Sequence, residues 1–391
     1  MYDFHFSIPT EIYFGKESEM KAGALMAQQV GKGGRVLLIY GSERIFHTEL
    51  GDRLVASLQD AGCTVFKLGG VRPNADAAYI RKAIDVVRKE GIDGILAVGG
   101  GSVIDSAKAA AAGAFFDGDI MELYQNPERC PEKFLPVGAV VTLPATASES
   151  NAMSVISDDV TGKKIARVFE RSKPKFALLN PALTMSVSSF QTASGGFDIF
   201  AHAFERYFDL NRKSSLLDRM TLALMKEIVG TLPKTLQNPG DEALRGELML
   251  AAAVAHNDML GPGGDFACHE MSHQITETFH VAHGAALAML IPAWCEYVSH
   301  QAPARFAAFY QEVFDVQGER PQDIIEKGIS ALRRFIDSLE LLQTIETTEQ
   351  LDLAALAVQT LDGRPFIGWG LTGLTAFDIE QIYRKIIRTV A

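Results

Sequence analysis

The chain has 391 residues, of which 47% are hydrophobic and 22% charged, and its net charge at pH 7 is −11. This length predicts two domains, and the negative charge argues against nucleic acid or an anionic membrane as a partner. The four cysteines are widely spaced without a CxxC pair, which argues against a disulfide framework and a thiolate zinc site. With no long apolar run and no secretory signal, a cytoplasmic protein is expected.

The first half of the chain alternates short apolar runs with amphipathic stretches. Buried strands rich in Val, Ile and Leu are predicted at Arg35–Tyr40, Cys63–Leu68, Gly94–Val98, Val137–Leu143 and Lys175–Leu179, with an additional edge strand at Glu11–Gly15. Helices are predicted between them at His47–Ala61, Ala75–Gly91 and Ser102–Ala114. This alternation is typical of an α/β fold, a doubly wound parallel sheet with helices on both faces.

A glycine-rich turn joins one of these strands to the next helix. Gly99, Gly100 and Gly101 precede Ser102 at the start of an alanine-rich helix. Glycines allow the backbone to approach a ligand closely, and a helix N-terminus presents free N–H groups to an anion. A pyrophosphate is the guest that this turn predicts, although the segment does not match GxGxxG and does not follow the first strand. A tight turn without a ligand is the structural alternative.

The end of the strand at Arg35–Tyr40 bears on the choice of cofactor. An acidic residue there would bind a ribose 2′-hydroxyl and repel a 2′-phosphate. Gly41 occupies this place, and Ser42 and Arg44 can meet extra negative charge. The segment therefore favours NADP(H) over NAD(H), with Glu43 as the opposing feature.

After Asn180–Pro181 the pattern becomes helical. Helices are predicted at Leu216–Val229, Leu244–Met259, Ala285–His300, Pro321–Leu339 and Ala376–Ile387. We therefore expect an α/β dinucleotide-binding domain over residues 1–184 and an all-helical, metal-binding domain over residues 185–391.

Histidines are concentrated in this second domain. Asp198 and His202 are four residues apart, as are His269 and His273, and His283 follows in a predicted turn. Residues at this spacing share one face of a helix, so each pair can point at the same ion. Either pair alone would more often be a surface or core feature, but together they predict a divalent metal site. Cys268 could be a soft ligand, although a buried bystander thiol is the simpler reading.

With these motifs the chain resembles the iron-containing (group III) alcohol dehydrogenases, and within them an NADPH-dependent, butanol dehydrogenase-like, aldehyde-reducing branch. The resemblance runs nearly from end to end. Its motifs are the opening strand at residues 9–15, the V-x-P-N turn at 71–74, GGGSxxDxxK at 99–108, a TLPATGSE-like segment at 142–149, and the Asp198 to His283 pattern with Glu205. Ala147 stands where glycine is usual, and Asn180–Pro181 where Asp-Pro is common.

The resemblance implies a role for each site residue. The metal (Fe²⁺ or Zn²⁺, or else Ni²⁺ or Co²⁺) would be held by Asp198, His202, His269 and His283. His273 would not be a ligand but would be available to transfer the proton. The residues implied in NAD(P)(H) binding are Gly41, Ser42, Asn74, Gly99, Gly100, Gly101, Ser102, Thr142, Thr146 and Lys164. Lys164 also has the simpler reading of a solvated loop lysine. A homodimer formed through the N-terminal edge strand is the expected assembly.

The implied reaction is hydride transfer between the nicotinamide and an aldehyde or primary alcohol, with the metal polarising the oxygen. Glycerol or polyol oxidation, and a dehydroquinate synthase-like lyase reaction, are the alternatives. Such a lyase would line its site with several Lys and Arg for an anionic substrate. The expected lining here is apolar, which favours an uncharged substrate; it consists of Phe197, Phe200, Met259, Phe266 and Phe279. A protein that binds metal and nucleotide without catalysis is the remaining possibility.

Overall fold

The computed structural model describes residues 3–5, 7–162 and 164–390. They divide into two compact units, one formed by residues 7–186 and the other by residues 187–390 together with residues 3–5. Across the described ranges, no helix is long and apolar enough to cross a membrane.

The first unit is an α/β unit. Its strands are β1 (Glu11–Phe14), β2 (Arg35–Tyr40), β3 (Thr64–Leu68), β4 (Gly94–Gly99), β5 (Val137–Val141), β6 (Met153–Ser157), β7 (Lys164–Val168) and β8 (Phe176–Leu179). Its helices are α1 (Ala22–Val30), α2 (Arg44–His47), α3 (Leu50–Asp60), α4 (Ala77–Glu90), α5 (Gly101–Gly113) and α6 (Ile120–Gln125). Six strands form a parallel sheet in the order β1-β8-β5-β4-β2-β3, as the alternating pattern predicts.

Alternation along β2 explains how the sheet is covered. Val36 and Leu38 belong to the cluster that packs against α1 and α3. Since successive side chains in a strand point to opposite faces, Leu37 and Ile39 face the other side, and they too are fully buried. Both faces of the sheet are therefore covered, and the predicted fold class is confirmed for this unit.

Parallel strands place several of the predicted cofactor residues together at the carboxyl ends of the strands. β2, β4 and β5 are neighbours and end at Tyr40, Gly99 and Val141. The segments that follow them begin at Gly41, Gly100 and Thr142. Because parallel strands share the same direction, these three segments emerge side by side, where ligands bind in open α/β sheets.

The hairpin of β6 and β7 has no counterpart in the sequence prediction. These strands form a separate antiparallel pair, in register from Met153 opposite Val168 to Ser157 opposite Lys164. Lys164 therefore opens a strand, and the reading of this residue as a loop lysine is wrong.

The second unit is helical, as predicted. Its helices are α7 (Ser189–Tyr207), α8 (Ser215–Gln237), α9 (Glu242–Ala255), α10 (Ala267–Phe279), α11 (His283–Val298), α12 (Pro303–Phe314), α13 (Pro321–Ser338), α14 (Leu353–Leu361) and α15 (Ala376–Ile386). The exceptions are two three-residue strands, β9 (Ile345–Thr347) and β10 (Ile387–Thr389), which pair in parallel. The core of this unit surrounds α7 and α11, whose buried residues include Phe204 and Trp294.

Candidate metal centre and cofactor cradle

The helix α7 carries the first pair of predicted ligands. It begins after Ser188, whose hydroxyl accepts a hydrogen bond from the backbone N–H of Gln191 at 3.3 Å, the usual N-cap arrangement. Asp198 and His202 lie one turn apart on this helix and are only 4% and 6% exposed. The i, i+4 spacing places both side chains on one face of the helix, and both lie in the interior of the unit.

The other histidines come from α10 and α11. His269 and His273 lie one turn apart on α10, whereas His283 is the first residue of α11 rather than part of a turn. At Gly284 the backbone of α11 approaches α7 so closely that a Cβ atom would lie 1.9 Å from the carbonyl oxygen of Ser194. Only glycine permits this approach, which brings His283 to the helix that carries Asp198.

Three of the four predicted ligands converge on one point. Asp198, His269 and His283 each place a ligand atom within 4.8 Å of the other two. Oδ1 of Asp198 lies 3.6 Å from Nε2 of His269 and 3.6 Å from Nε2 of His283. These separations are too long for hydrogen bonds. They are close to the roughly 3.4 Å between two atoms that each lie about 2.1 Å from a tetrahedral ion.

Two atoms of this cluster show that the donor set fits a metal ion. Oδ1 of Asp198 and Nε2 of His269 are buried and have no hydrogen-bond partner in the part of the chain that the structure describes. Buried polar atoms without partners are rare in native proteins because each costs free energy. A divalent cation between a carboxylate and imidazoles satisfies both atoms.

The Nδ1 atom of each of the three predicted ligand histidines has a protein partner. In His202 it donates to the carbonyl oxygen of Asp198 at 2.8 Å, and in His269 it bonds Oε2 of the fully buried Glu205. In His283 it lies 3.1 Å from Oγ of Ser272. A ring that donates through Nδ1 offers the lone pair of Nε2 to a metal, and such partners fix its orientation. His202 is outside the converging set of three, although its ring centroid is 4.4 Å from that of His269.

Burial and neighbouring charges shift the pKa values of the groups in the cluster. Burial alone would raise the pKa of Asp198, but His202, His283 and His269 outweigh it and hold the pKa well below its ordinary value. Burial lowers the pKa of His202 to about 3. It would lower that of His269 too, but Glu205 and Asp198 dominate and raise the pKa to about 9. The carboxylates of Glu205 and Asp198 therefore favour a positive charge between them.

Other candidate residues lie around the cluster without joining it. The ring of His273 stacks on that of His283, with centroids 5.8 Å apart. His256, to which the sequence assigned no role, lies 4.4 Å from His202 between ring centroids, and its Nδ1 contacts Nη2 of Arg206 at 3.1 Å. Cys268 is fully buried, and burial raises the pKa of its thiol well above the usual value. It lies outside the three described residues whose ligand atoms converge, which favours its interpretation as a bystander thiol.

The expected apolar lining of the site is wrong for two of its five residues. Phe197 and Phe200 are fully buried, and their rings pack against each other and against Phe335 in the core. Phe266 does contact the cluster, with its ring centroid 5.5 Å from that of His269. The argument for an uncharged substrate therefore loses Phe197 and Phe200 and keeps Phe266. Of the other two residues, Phe279 is partly buried against the same core and Met259 is 39% exposed.

The glycine turn forms a cradle between two other segments. The helix α5 begins after Gly100, and no side chain caps its N-terminus. On one side, the backbone N–H of Asn74 donates to Oγ of Ser102 at 3.1 Å. On the other, a Cβ at Gly101 would lie 2.6 Å from Oγ1 of Thr146. The N–H of Thr142 donates to the carbonyl oxygen of Gly99 at 3.0 Å. An uncapped helix start with a glycine-lined approach fits a pyrophosphate.

The remaining predicted cofactor residues lie near this cradle. The carbonyl oxygen of Gly41 accepts from the N–H of Gly70 at 2.8 Å, and the exposed Ser42 follows it. Lys164 is in register with Ser157, whose N–H donates to the carbonyl oxygen of Ala75, the neighbour of Asn74. The β6–β7 hairpin thus connects Lys164 with the Asn74 side of the cradle.

Asn180 and Ala147 are the two positions that depart from the family motifs, and the structure accounts for the first and shows backbone strain at the second. The Asn180 amide donates to Oε2 of the buried Glu19 at 2.8 Å. An aspartate at this position would place two carboxylates together. Ala147 has a left-handed backbone with φ of 51°, the region that favours glycine.

Comparison with known proteins agrees with this geometry. Residues 9–181 match the family model described as iron-containing alcohol dehydrogenase, and residues 192–368 match that of the C-terminal region of the Fe-containing alcohol dehydrogenase family. NADH-dependent butanol dehydrogenase A of Clostridium acetobutylicum is 31% identical over 395 residues, with 98% of this chain and 100% of that protein covered.

A second relative uses the other cofactor. NADPH-dependent aldehyde reductase YqhD of Escherichia coli is 32% identical over 343 residues, with 87% of each chain covered. The crystal structure of NADH-dependent butanol dehydrogenase A from Thermotoga maritima superposes with a TM-score of 0.92 at 29% identity and covers 99% of each chain. These matches extend over both units, and the chain belongs to the iron-containing alcohol dehydrogenase family.

Proposed function

We propose that this protein is a metal-dependent oxidoreductase that interconverts aldehydes and primary alcohols with NAD(P)(H). The observation that carries the proposal is the convergence of Asp198, His269 and His283, in which both histidines are bonded to the protein through Nδ1. The relatives named as butanol dehydrogenases and an aldehyde reductase support the same reaction.

Asp198, His202, His269 and His283 are proposed to hold the ion. The Nδ1 bond of His202 to the Asp198 carbonyl leaves its Nε2 as the coordinating atom, as in the other two rings. When bound, the ion polarises the substrate oxygen as a Lewis acid and the nicotinamide carries the hydride. One carboxylate and three imidazoles suit Fe²⁺, Zn²⁺, Ni²⁺ or Co²⁺.

His273 is proposed to transfer the proton of the reaction rather than to bind the metal. Its ring stacks on the ligand His283 and lies outside the converging set. Its side chain is partly exposed, and an imidazole in that position can exchange a proton with solvent.

The cofactor is proposed to bind along the cradle. Gly99 to Ser102 would hold the pyrophosphate and Gly41 with Ser42 the adenosine ribose. The other contacts would be made by Asn74, Thr142, Thr146 and Lys164. This assignment is supported by the hydrogen bonds that connect Asn74, Ser102, Gly99 and Thr142 around the uncapped helix start.

We propose NADP(H) as the preferred cofactor. Gly41 and Ser42 offer no carboxylate to a ribose, and Oε1 of Glu43 is already engaged by the hydroxyl of Tyr40 at 2.7 Å. The relatives named for NADH and NADPH divide between the two cofactors. The preference therefore rests on these three residues.

A homodimer is proposed through the edge of the sheet. β1 is the terminal strand, and it exposes 37% of Ile12 and 44% of Phe14. An exposed apolar edge strand is a surface that a second copy can cover. Light scattering during gel filtration tests this, and an Ile12→Asp variant that runs like the wild type would contradict an edge-strand interface.

The reaction is tested by following the loss of NAD(P)H absorbance. Metal-loaded protein is assayed with butanal, and the reverse reaction with butanol, glycerol and propanediol, each with both cofactors. We expect butanal reduction with a higher kcat/KM for NADPH than for NADH. Turnover of glycerol without butanal reduction would favour a polyol dehydrogenase, and no change with any substrate would contradict the oxidoreductase.

A further inference from the structure

A buried lysine lies directly below the glycine turn. Lys108 is in the second turn of α5, among alanines, and is only 1% exposed. Burial lowers the pKa of its ammonium group to about 8. A charge at this depth is costly unless all of its donors are used and an opposite charge is near. Its position therefore needs an explanation beyond packing.

The ammonium group holds a single segment of the chain. Nζ of Lys108 donates to Oγ of Ser148 at 3.0 Å, to Oδ1 of Asn151 at 3.0 Å and to the carbonyl oxygen of Met153 at 2.9 Å. Oγ of Ser148 donates in turn to the carboxylate of Asp105, one turn before Lys108 on α5. The two opposite charges of the helix thus meet through the hydroxyl of Ser148, and all three ammonium donors are used.

The segment that Lys108 holds determines where Thr146 lies. Nδ2 of Asn151 donates to the carbonyl oxygen of Thr146 at 3.1 Å, and the N–H of Ser148 donates to Oγ1 of Thr146 at 3.3 Å. Between them, Ala147 has the strained left-handed backbone. Such a conformation persists only where neighbouring contacts enforce it. Those contacts place the Thr146 hydroxyl against Gly101 of the cradle.

The geometry points to Lys108 as a positioning residue for the cofactor: it fixes residues 146–153 so that Thr146 lies against the glycine turn, without itself touching the cofactor. The inference rests on the proposed function, because it takes the cradle to be the NAD(P)H site. Loss of the Lys108 contacts releases the segment and weakens cofactor binding. It leaves the metal ligands, which are in the other unit, unchanged.

The test compares Lys108→Met and Ser148→Ala with a matched control, Lys173→Met. Lys173 is a second buried lysine of the same unit, but it bonds the carbonyl oxygen of Ser7 and Glu170 rather than the segment. The Kd of NADPH and NADH is measured by fluorescence without substrate, at a temperature where each protein is folded. We expect Kd and the cofactor KM to rise about tenfold in Lys108→Met, with kcat at saturating cofactor within about threefold of wild type.

Further outcomes separate positioning from a purely structural role. Ser148→Ala keeps both charges and removes only the bridging hydroxyl, so it should also raise Kd, and the double variant should bind no more weakly than Lys108→Met. A folded Lys108→Met or Ser148→Ala protein with wild-type Kd would overturn the inference. So would an equal rise in Lys173→Met. Wild-type protein that binds neither cofactor would instead refute the proposed function.

Discussion

Replacing Glu205 with glutamine should weaken metal binding without removing a ligand. Glu205 accepts from the N–H of Cys268 at 2.6 Å through one oxygen and holds Nδ1 of His269 through the other. Glutamine has the same shape but only one acceptor, so its NH₂ group must face one of these donors. An unmet buried contact of this kind costs about 1–3 kcal/mol.

The substitution should raise the free energy of the metal-bound protein more than that of the metal-free protein. Without the ion, the His269 ring can turn away from the glutamine, whereas coordination through Nε2 fixes it in place. Since about 1.4 kcal/mol is tenfold in affinity, the expected loss is about 10- to 100-fold, the range typical of residues that orient metal ligands.

A competition titration measures this change. Chelator-stripped protein is titrated with Zn²⁺ against a chromogenic chelator of similar affinity. The matched control is Glu270→Gln, next to His269 in sequence, whose carboxylate pairs with Arg364 at 2.8 and 2.6 Å near the surface. The control should bind Zn²⁺ within about twofold of wild type. A folded Glu205→Gln protein with wild-type affinity would refute the reasoning.

Four further substitutions, one of them a control, test other parts of the protein. His273→Ala should lower kcat by about 100-fold while metal analysis still finds about one ion per chain; loss of the ion would make His273 a ligand. Gly284→Ala should cost about 3 kcal/mol in denaturant unfolding, because its Cβ would meet the Ser194 carbonyl oxygen at 1.9 Å. Gly230→Ala, in a helix with no atom within 4 Å of the new Cβ, should be neutral or stabilising, and equal losses in the two variants would contradict this account. Ala147→Gly should leave the unfolding free energy within about 1 kcal/mol, since relief of the positive φ offsets the lost methyl burial and the added chain entropy; a loss above about 2 kcal/mol would show that the strain estimate is wrong.

The fold was largely predictable because its signals are local. The predicted Arg35–Tyr40 strand agrees with β2 at both ends, and the other predicted sheet strands differ by one or two residues. The β6–β7 hairpin was missed because Met153–Ser157 and Lys164–Val168 mix polar and apolar residues without a continuous apolar run. The strands at Ile345 and Ile387 are three residues long and far apart in sequence, so only their pairing defines them.

The site was predictable only in part. The i, i+4 spacing placed Asp198 with His202, but no spacing shows that Glu205 bonds a histidine 64 residues away. The Phe197 and Phe200 error could have been avoided. At about 100° per residue, the side chains of Phe197 and Phe200 point about 100° and about 160° away from Asp198 around the helix, towards the core.

The central claim is that the histidine cluster binds the ion that the reaction uses. The most direct test is to replace His283 with alanine and measure bound metal and NADPH-dependent butanal reduction in the same preparation. We predict that the wild type holds about one ion per chain and reduces butanal, and that the folded variant loses both. A His283→Ala protein that retains both its metal and its butanal reduction would contradict the account.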